Sequence, residues 1–307
     1  MGRINTIGSM NLVVPEVGQV SSCAFDSTML WHQRMGQINE NNIQARHGKG
    51  MVEGMTDYFE EIDFCEHCVY GKQSQVKFPS KTMRVNGFLE VVHSDVFGPV
   101  SVPSLGGSLY YVSFIDDFSR MTWLYFLKKK FEVFERFQEF KALVENQFDR
   151  KVKVLRIDNG GEFCGKVFDH FYRQHDINRH NTTPYTPQQN EVVERMNITL
   201  MDKARSMLSG AGLSQELWVE AIDTVCYLVN RSSTTALVDK TPYEAWDSRR
   251  PSLAHLKVFG CDAFMHVPKE KGSKLDVKLE KCIFIGYKDG VKGYKLWNLV
   301  EGKIVYS

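Results

Sequence analysis

Three acidic residues stand where a folded chain could bring their carboxylates together. Asp95 lies near the end of a strand-like run, GFLEVVHSDVFG, and Asp158 directly follows a second run, KVKVLRI. Glu194 lies one turn into a long helical pattern that begins at Asn190. Carboxylates on rigid strand ends and a helix can hold divalent metal ions, which assist phosphoryl transfer. The three residues are therefore candidate ligands of a two-metal site.

Other interpretations of these acids are open from spacing alone. Asp158 and the Asn-Gly-Gly that follows it would also suit an Asx-type turn. The chain has 37 acidic residues among 307, so the 35 residues between Asp158 and Glu194 carry no weight without structural context. Asp116 and Asp117 are interpreted as turn or fold-stabilising residues. Glu162 could approach the site, but an exposed role is the preferred interpretation.

The elements that must position the acids follow from hydrophobic spacing. Residues 81–250 read as three strands and then alternating helices and strands, in the order β-β-β-α-β-α-β-α-α. This order predicts an α/β fold, with a mixed sheet covered by helices. If the first and fourth strands are neighbours, Asp95 and Asp158 meet at one edge. The long helix could then present Glu194 to both.

A smaller region is predicted on each side of this core. Residues 1–80 are irregular, with a helix near Met29–Gln37 and a Cys-x2-Cys pair, Cys65 and Cys68. In a reducing compartment this pair favours zinc over a disulfide. Residues 251–307 show short strand patterns divided by glycine and lysine turns, which predict a small β-barrel-like domain. This segment has ten lysines and six acidic residues, which suits either a phosphate-binding or an ordinary solvated surface.

Composition narrows the class of protein. Hydrophobic residues make up 43% and charged residues 24% of the chain, as in ordinary globular proteins. No apolar run approaches the roughly 18 residues of a membrane span, and the N-terminus lacks a secretory profile. Seven scattered cysteines argue for a reducing compartment and against a disulfide framework. The net charge of +1 does not by itself indicate a nucleic-acid partner.

Several segments, taken in order, resemble the integrase region of copia-type long-terminal-repeat retrotransposon polyproteins, especially plant ones. The resemblance runs from about Leu30 to Ser307 and implies a ribonuclease-H-like core at residues 81–250. It also implies a pre-integrase domain at residues 1–80 and a basic C-terminal domain at residues 251–307, all within a fragment of a longer polyprotein. The segments are LWHQRMG, FCEHCVYGKQ, HSDVFGP, FIDDFSR, IDNGGEF, PYTPQQNEVVERMN and KVFGCDAF.

The resemblance also implies a chemistry. Asp95, Asp158 and Glu194 match the family's catalytic triad, which would bind two Mg²⁺ or Mn²⁺ ions with Asp95 bridging both. Water would trim the 3′ end of the element's DNA, and the freed 3′-hydroxyl would attack a target phosphodiester. Double-stranded DNA is the expected partner, no membrane is expected, and an active protein is expected to be a homo-oligomer. Its expected location is a cytoplasmic particle and the nucleus.

DNA contacts are expected at the loop before the long helix and on that helix. Gln188, Gln189 and Asn190 could hydrogen-bond DNA, and the prolines and polar residues of this loop suit a substrate-contacting segment. Tyr185 could stack on an unpaired base or cover the edge of the core. Basic residues of the helix could contact phosphates or simply be solvated, namely Arg195, Lys203 and Arg205.

The first departure from the family pattern concerns the zinc site. Pre-integrase domains carry the pattern Trp-His-x4-His, which implies that His32 binds zinc with Cys65 and Cys68. Gln37 occupies the second histidine position, and glutamine is a weak zinc ligand. The fourth ligand is therefore open, and other candidates are His47, His67 and Cys23.

The second departure is Glu191, where the family usually has glycine. Glu191 suits the positive end of the helix dipole but adds negative charge three residues before Glu194. Three functions stay open: a working integrase, a DNA-binding remnant without turnover, and a nuclease that cleaves without joining. Metal-dependent turnover would exclude the remnant, and joined products would separate the integrase from the nuclease.

Overall fold

The computed structural model describes most of the chain. The described residues are 28–51, 62, 65–71, 85–158, 160–181, 191–266, 278–288, 290 and 293–306. The helices are α1 Thr28–Arg34, α2 Glu40–His47, α3 Glu66–Gly71, α4 Val133–Phe148, α5 Lys166–Gln174, α6 Glu191–Ala211, α7 Trp218–Asn230 and α8 Pro242–Asp247. The strands are β1 Val92–Phe97, β2 Tyr110–Asp116, β3 Thr122–Leu127, β4 Val154–Ile157, β5 Asn178–Asn181, β6 Asp262–His266, β7 Leu279–Tyr287, β8 Tyr294–Asn298 and β9 Lys303–Tyr306.

A five-stranded mixed sheet forms the centre, in the order β3-β2-β1-β4-β5. β1 and β2 pair antiparallel, as do β2 and β3, while β4 is parallel to both β1 and β5. The predicted order of elements is confirmed as far as α7, whereas α8 was not predicted. The first and fourth strands are neighbours, which was the condition for Asp95 and Asp158 to meet.

Helices cover both faces of this sheet. Alternate strand residues point to opposite faces, so each face contributes side chains to a core of its own. On one face, Phe114 of β2 stacks on Phe140 of α4 with ring centroids 4.5 Å apart, and the buried Phe137 of α4 and Phe171 of α5 extend the core. On the other face, Tyr111 of β2 belongs to a core built on α6 and α7. The buried residues of α6 recur at the spacing expected of an amphipathic helix. Its opposite, polar side is therefore available for a site.

The two smaller regions share the core formed by α6 and α7. Trp31 and Met35 of the N-terminal region belong to the same cluster of buried residues as Met207 of α6 and Leu228 of α7. The second sheet, β6-β7-β8-β9, is antiparallel throughout and packs on α7, where Thr224 Oγ1 donates to the Ile285 carbonyl at 3.1 Å. The boundaries at residues 80 and 250 stay a prediction.

Asp116 fixes a tight connection in the core. Its carboxylate accepts hydrogen bonds from the Leu89 amide at 2.8 Å and from the Ser119 amide and hydroxyl at 2.8 and 2.6 Å. Asp117 contacts His93 Nε2 at 2.9 Å and Arg120 at 3.1 Å. Both acids stabilise the fold, as predicted. Among the described helices, none has the length and apolar character needed to cross a bilayer.

Candidate active site

Strand direction brings the predicted acids to one edge of the central sheet. β1 and β4 are parallel neighbours, so their C-terminal ends meet at the same edge. Asp95 lies on β1, opposite Ser113 of β2, and Asp158 directly follows β4. Glu194 lies in the first turn of α6, which packs against β1. The structure therefore places the three acids in one region, as the sequence predicted.

The three carboxylates are close enough for the charge of Asp158 to raise the pKa values of Asp95 and Glu194. Burial and the charge of Asp158 raise the pKa of Asp95 to about 6, with a smaller contribution from Glu194. Burial, Asp158 and Glu191 likewise raise the pKa of Glu194. Their oxygens are not all within 4.8 Å of one another, unlike the histidine–cysteine cluster described below. This region has a concentrated negative charge that a cation would relieve.

Asn197 holds Asp95 in place from the next turn of α6. Its Nδ2 donates to Asp95 Oδ2 at 2.8 Å, and its Oδ1 accepts from the Tyr111 hydroxyl at 3.2 Å and from Ser113 Oγ at 3.4 Å. Asn197 is 3% exposed and stands in the otherwise apolar stripe of α6. Sequence reasoning missed this residue, although a polar residue in an apolar stripe is a readable signal.

If Asp95 holds a metal ion, Asn197→Ala is expected to lower metal-dependent activity by about 10- to 100-fold, the usual cost of losing a group that orients a metal ligand. The Asp95 carboxylate would lose its donor, while Glu194 and the exposed face of α6 would keep their positions. The measurement is turnover against Mg²⁺ concentration beside DNA affinity. A proportional loss of DNA binding would contradict a positioning role. Asn181→Ala, on the exposed edge strand β5, is the matched control.

Glu162 corrects the prediction of an exposed residue. Its side chain is only 14% exposed and forms an ion pair with Lys130. A Cβ added at Gly160 would collide with the carboxylates of both Asp158 and Glu162, so these carboxylates converge over the bare glycine backbone. Burial has the largest single effect and raises the pKa of Glu162, but the Lys130 hydrogen bond, a backbone hydrogen bond and the Lys130 charge together leave this pKa below its ordinary value. A fourth carboxylate therefore borders the site.

Comparison with known domain families identifies three domains in this chain. Residues 87–187 match the integrase core domain, residues 7–73 the GAG-pre-integrase domain, and residues 261–307 the retroviral polymerase SH3-like domain. This chain contains an integrase core. The five-stranded mixed sheet with flanking helices is thus the predicted ribonuclease-H-like fold, and the four-stranded antiparallel sheet is the SH3-like domain.

This chain is similar in sequence to plant retrotransposon polyproteins. The chain is 46% identical over 284 residues, or 92% of its length, to the retrovirus-related Pol polyprotein from transposon TNT 1-94 of Nicotiana tabacum. It is 31% identical over 290 residues, or 94% of its length, to that from transposon RE2 of Arabidopsis thaliana. The alignments cover 21% and 19% of those polyproteins, so the chain spans about a fifth of their length.

Two solved structures show a more distant likeness to this chain. One is the simian T-cell lymphotropic virus intasome in complex with the PP2A regulatory subunit B56 gamma, at 14% identity and a TM-score of 0.46, covering 79% of this chain and 84% of that one. Another is the HTLV-2 integrase catalytic core domain in complex with magnesium, at 18% identity and a TM-score of 0.40, covering 51% and 95%.

The predicted DNA contacts of the integrase core are only partly described. Tyr185, Gln188, Gln189 and Asn190 lie outside the described residues. On α6, Arg195 is exposed and pairs with Glu191, which offsets the extra charge of that glutamate. The other two predicted basic contacts are engaged within the protein: Lys203 Nζ donates to the Gly36 carbonyl at 2.6 Å, and Arg205 pairs with Asp202 at 3.2 Å.

The GAG-pre-integrase region brings its predicted metal ligands together. The ligand atoms of His32, Cys65 and Cys68 all lie within 4.8 Å of one another. His32 Nδ1 donates to the Ile38 carbonyl at 2.6 Å, so Nε2 is the acceptor nitrogen of the ring, and it lies 3.3 Å from Cys68 Sγ. This hydrogen bond fixes the histidine in the orientation and tautomer that a metal ligand needs.

Gln37 reaches the same point from the turn after α1. Its Oε1 lies 3.4 Å from Cys65 Sγ and 3.5 Å from Cys68 Sγ, and the residue is 5% exposed. Its backbone has a φ of 63°, a left-handed conformation that is uncommon for glutamine. His67 instead packs on Gly210 of α6, and Cys23 lies outside the described residues.

Proposed function

We propose that this chain is the part of a retrotransposon polyprotein that cuts and joins DNA as an integrase. The observation that carries the proposal is the meeting of Asp95, Asp158 and Glu194 at one edge of an integrase core, where burial and the neighbouring charges raise the pKa of Asp95 to about 6. A cluster of carboxylates with strongly perturbed pKa values is typical of a functional site.

The residues at this edge fit hard divalent ions. Mg²⁺ and Mn²⁺ prefer oxygen ligands, and the donor set consists of carboxylates without a thiol or an imidazole. The nearby cations Lys130 and Arg195 are paired with Glu162 and Glu191 instead of with the three acids. Bound ions would supply Lewis-acid stabilisation of the phosphate and activation of the attacking oxygen.

The reaction has two phosphoryl transfers. In the first, water attacks a phosphorus near the end of the element's DNA, the bond to the 3′ oxygen breaks, and a 3′-hydroxyl is left. In the second, that hydroxyl attacks a phosphorus of target DNA, whose own 3′ oxygen leaves and takes up a proton. Asp95, Asp158 and Glu194 would hold the metal ions, while Asn197 keeps the Asp95 carboxylate oriented.

The partner is double-stranded DNA, both the element's end and the target. Two DNA ends must be joined to one target in a concerted insertion, so we propose a homo-oligomer that works in the nucleus after assembly in a cytoplasmic particle. The retroviral neighbours include an intasome, which is consistent with an assembled form of this core.

A strand-transfer assay tests the proposal. Purified protein is incubated with a labelled duplex carrying the element's terminal sequence, in Mg²⁺ or Mn²⁺. Products longer than the input are expected, since joining adds target sequence to the labelled strand. Only shorter products would favour a nuclease. Binding by folded protein without any product in either metal would favour the DNA-binding remnant.

We also propose that the GAG-pre-integrase region binds zinc through His32, Cys65, Cys68 and Gln37. Four donors around tetrahedral Zn²⁺ lie about 3.4–3.8 Å apart, and about 3.6 Å for a sulfur beside a nitrogen or oxygen, given Zn–S near 2.3 Å and Zn–N or Zn–O near 2.1 Å. The observed separations of 3.3–3.5 Å between neighbouring donors are close to these edges. Gln37 thus supplies the oxygen that replaces the missing histidine.

Gln37→His is expected to raise zinc affinity by roughly 10-fold or more, because imidazole is a stronger zinc ligand than a neutral amide. Gln37→Ala is expected to lower it. Affinity can be measured by competition with a chelating dye, and the Co²⁺ absorption spectrum reports the ligand set. Gln174→His, at the exposed end of α5, is the matched control. Equal affinities in all four proteins would contradict a role for Gln37 at the metal.

A further inference from the structure

A lysine-rich turn leaves the central sheet at the catalytic edge. β3 runs in the same direction as β1 and β4, because two antiparallel pairings separate it from β1. The chain therefore leaves β3 at the edge where Asp158 follows β4. The next three residues, Lys128, Lys129 and Lys130, are all exposed.

Local contacts hold this turn in one conformation. The Lys128 amide donates to Glu132 Oε2 at 3.1 Å, and the Lys129 ammonium lies 5.6 Å from the ring centroid of Phe131. Phe131 is itself 74% exposed, which is unusual for a large apolar side chain at the start of a helix that buries Phe137 and Phe140. The turn thus presents three cations and an aromatic ring to solvent beside the acids.

Lys130 is the member of this group that reaches the site. Its ammonium forms an ion pair with Glu162, whose carboxylate converges with that of Asp158 over Gly160. The Lys130 side chain remains 45% exposed, while that of Glu162 is 14% exposed. One side of the ammonium therefore faces the carboxylate and another faces solvent at the edge where the acids lie.

A DNA backbone that approaches this edge meets four carboxylates. Repulsion of a phosphate by Asp95, Asp158, Glu194 and Glu162 must be offset by cations within the same few ångströms. A partly exposed lysine–glutamate pair contributes little to stability and is weakened by salt, so its exchange for another anion is not costly. Lysine also binds phosphate as a point charge without strict geometry.

We propose that Lys130 binds a DNA phosphate next to the reacting one, and that Glu162 holds the Lys130 ammonium until that phosphate replaces it. Lys128 and Lys129 bind the phosphates that follow along the same strand. The proposal rests on the proposed integrase function and adds a substrate-binding element to it. The ligand is a phosphodiester backbone, which belongs either to the element's end or to the target.

The test measures DNA affinity without turnover, in Ca²⁺, by fluorescence anisotropy over a range of salt concentrations. Lys130→Gln is expected to weaken binding about 5- to 10-fold and to reduce the slope of log K against log salt by about one. Glu162→Gln is expected to tighten binding, because it frees Lys130. Lys130→Arg, which keeps the charge, is expected to bind as the wild type does.

The chain offers a matched control pair. Lys153 and Glu90 form a 3.1 Å ion pair before the start of β4, at the opposite edge of the sheet. Lys153→Gln changes net charge as Lys130→Gln does, and Glu90→Gln as Glu162→Gln does. Both should leave affinity within about twofold of wild type, since surface pairs away from the DNA contribute little. Melting temperatures of all variants verify that each one folds.

Opposite effects of Lys130→Gln and Glu162→Gln separate this proposal from a purely structural ion pair. Affinity that is unchanged in Lys130→Gln, or that falls alike in both variants, would overturn it. Two duplexes identify the source of the phosphate: an effect only on the element-end duplex assigns Lys130 to that DNA, and an equal effect on unrelated duplex assigns it to target as well. Wild-type binding without strand transfer would reject the integrase function but leave the Lys130 result readable.

Discussion

Asp158→Asn is expected to abolish both 3′-end trimming and strand transfer, with a loss on the order of 10³-fold or more. The change keeps the shape of the side chain but removes the charge that follows β4 and acts on Asp95 and Glu194. Loss of one metal ligand removes several kcal/mol of transition-state stabilisation, and each 1.4 kcal/mol corresponds to a factor of ten in rate. Product formation by gel assay in Mg²⁺ and Mn²⁺ measures the effect.

The control for this variant is Asp149→Asn. Asp149 follows α4 with a φ of 51°, a left-handed conformation that asparagine tolerates, and its side chain is exposed. Wild-type activity is expected there. Residual activity of Asp158→Asn above a few per cent of wild type would contradict the assignment of Asp158 as a metal ligand.

Asp95→Asn is expected to stabilise the metal-free protein while eliminating its activity. The folded-state pKa of Asp95 is about 6, above its ordinary value of 3.8. An acid whose pKa is raised by folding costs no stability below pH 3.8, and the cost grows until the pH exceeds about 6. Two pKa units correspond to at most about 3 kcal/mol, so we expect a gain of about 2 kcal/mol at pH 7.5.

The measurement is thermal unfolding between pH 4 and pH 8 in the absence of divalent ions. A gain of about 2 kcal/mol corresponds to a rise in melting temperature of roughly 4–8 °C, and this rise should vanish near pH 4. Added Mg²⁺ should stabilise the wild type but not the variant, because ligand binding to the folded state alone raises stability. Asp176→Asn, at an exposed left-handed position, is the neutral control. A gain that persists at pH 4 would reject ionisation of Asp95 as its cause.

Much of the fold could be predicted from local patterns. Alternation and helical spacing predicted the order of elements in the core. Asp95 and Asp158 were expected to meet if the first and fourth strands were neighbours, and the sheet order meets that condition. Asp95, Asp158 and Glu194 meet because strand direction alone determines which ends share an edge. The antiparallel C-terminal sheet was similarly readable from short strands between turns.

The rest of the site depends on distances that the sequence does not encode locally. Glu162 and Lys130 are 32 positions apart, and their ion pair arises because the end of β3 and the loop after β4 leave the sheet at the same edge. Gln37 looked unsuited to zinc, yet the turn after α1 directs its amide oxygen at both thiols. Asn197 was readable, because it interrupts the apolar stripe that includes Val193, Leu200 and Ala204.

The shared core on α6 and α7 has a practical consequence for dividing the chain. An isolated segment of residues 81–250 would uncover the side of α7 that carries Glu220, now only 5% exposed and paired with Lys295 of β8 at 3.3 Å. It would also uncover the part of the shared core on α6 and α7 that Trp31 and Met35 cover. A bare patch of this kind favours self-association. Truncations intended to isolate catalysis are therefore expected to aggregate unless both flanking regions are kept or α7 is resurfaced.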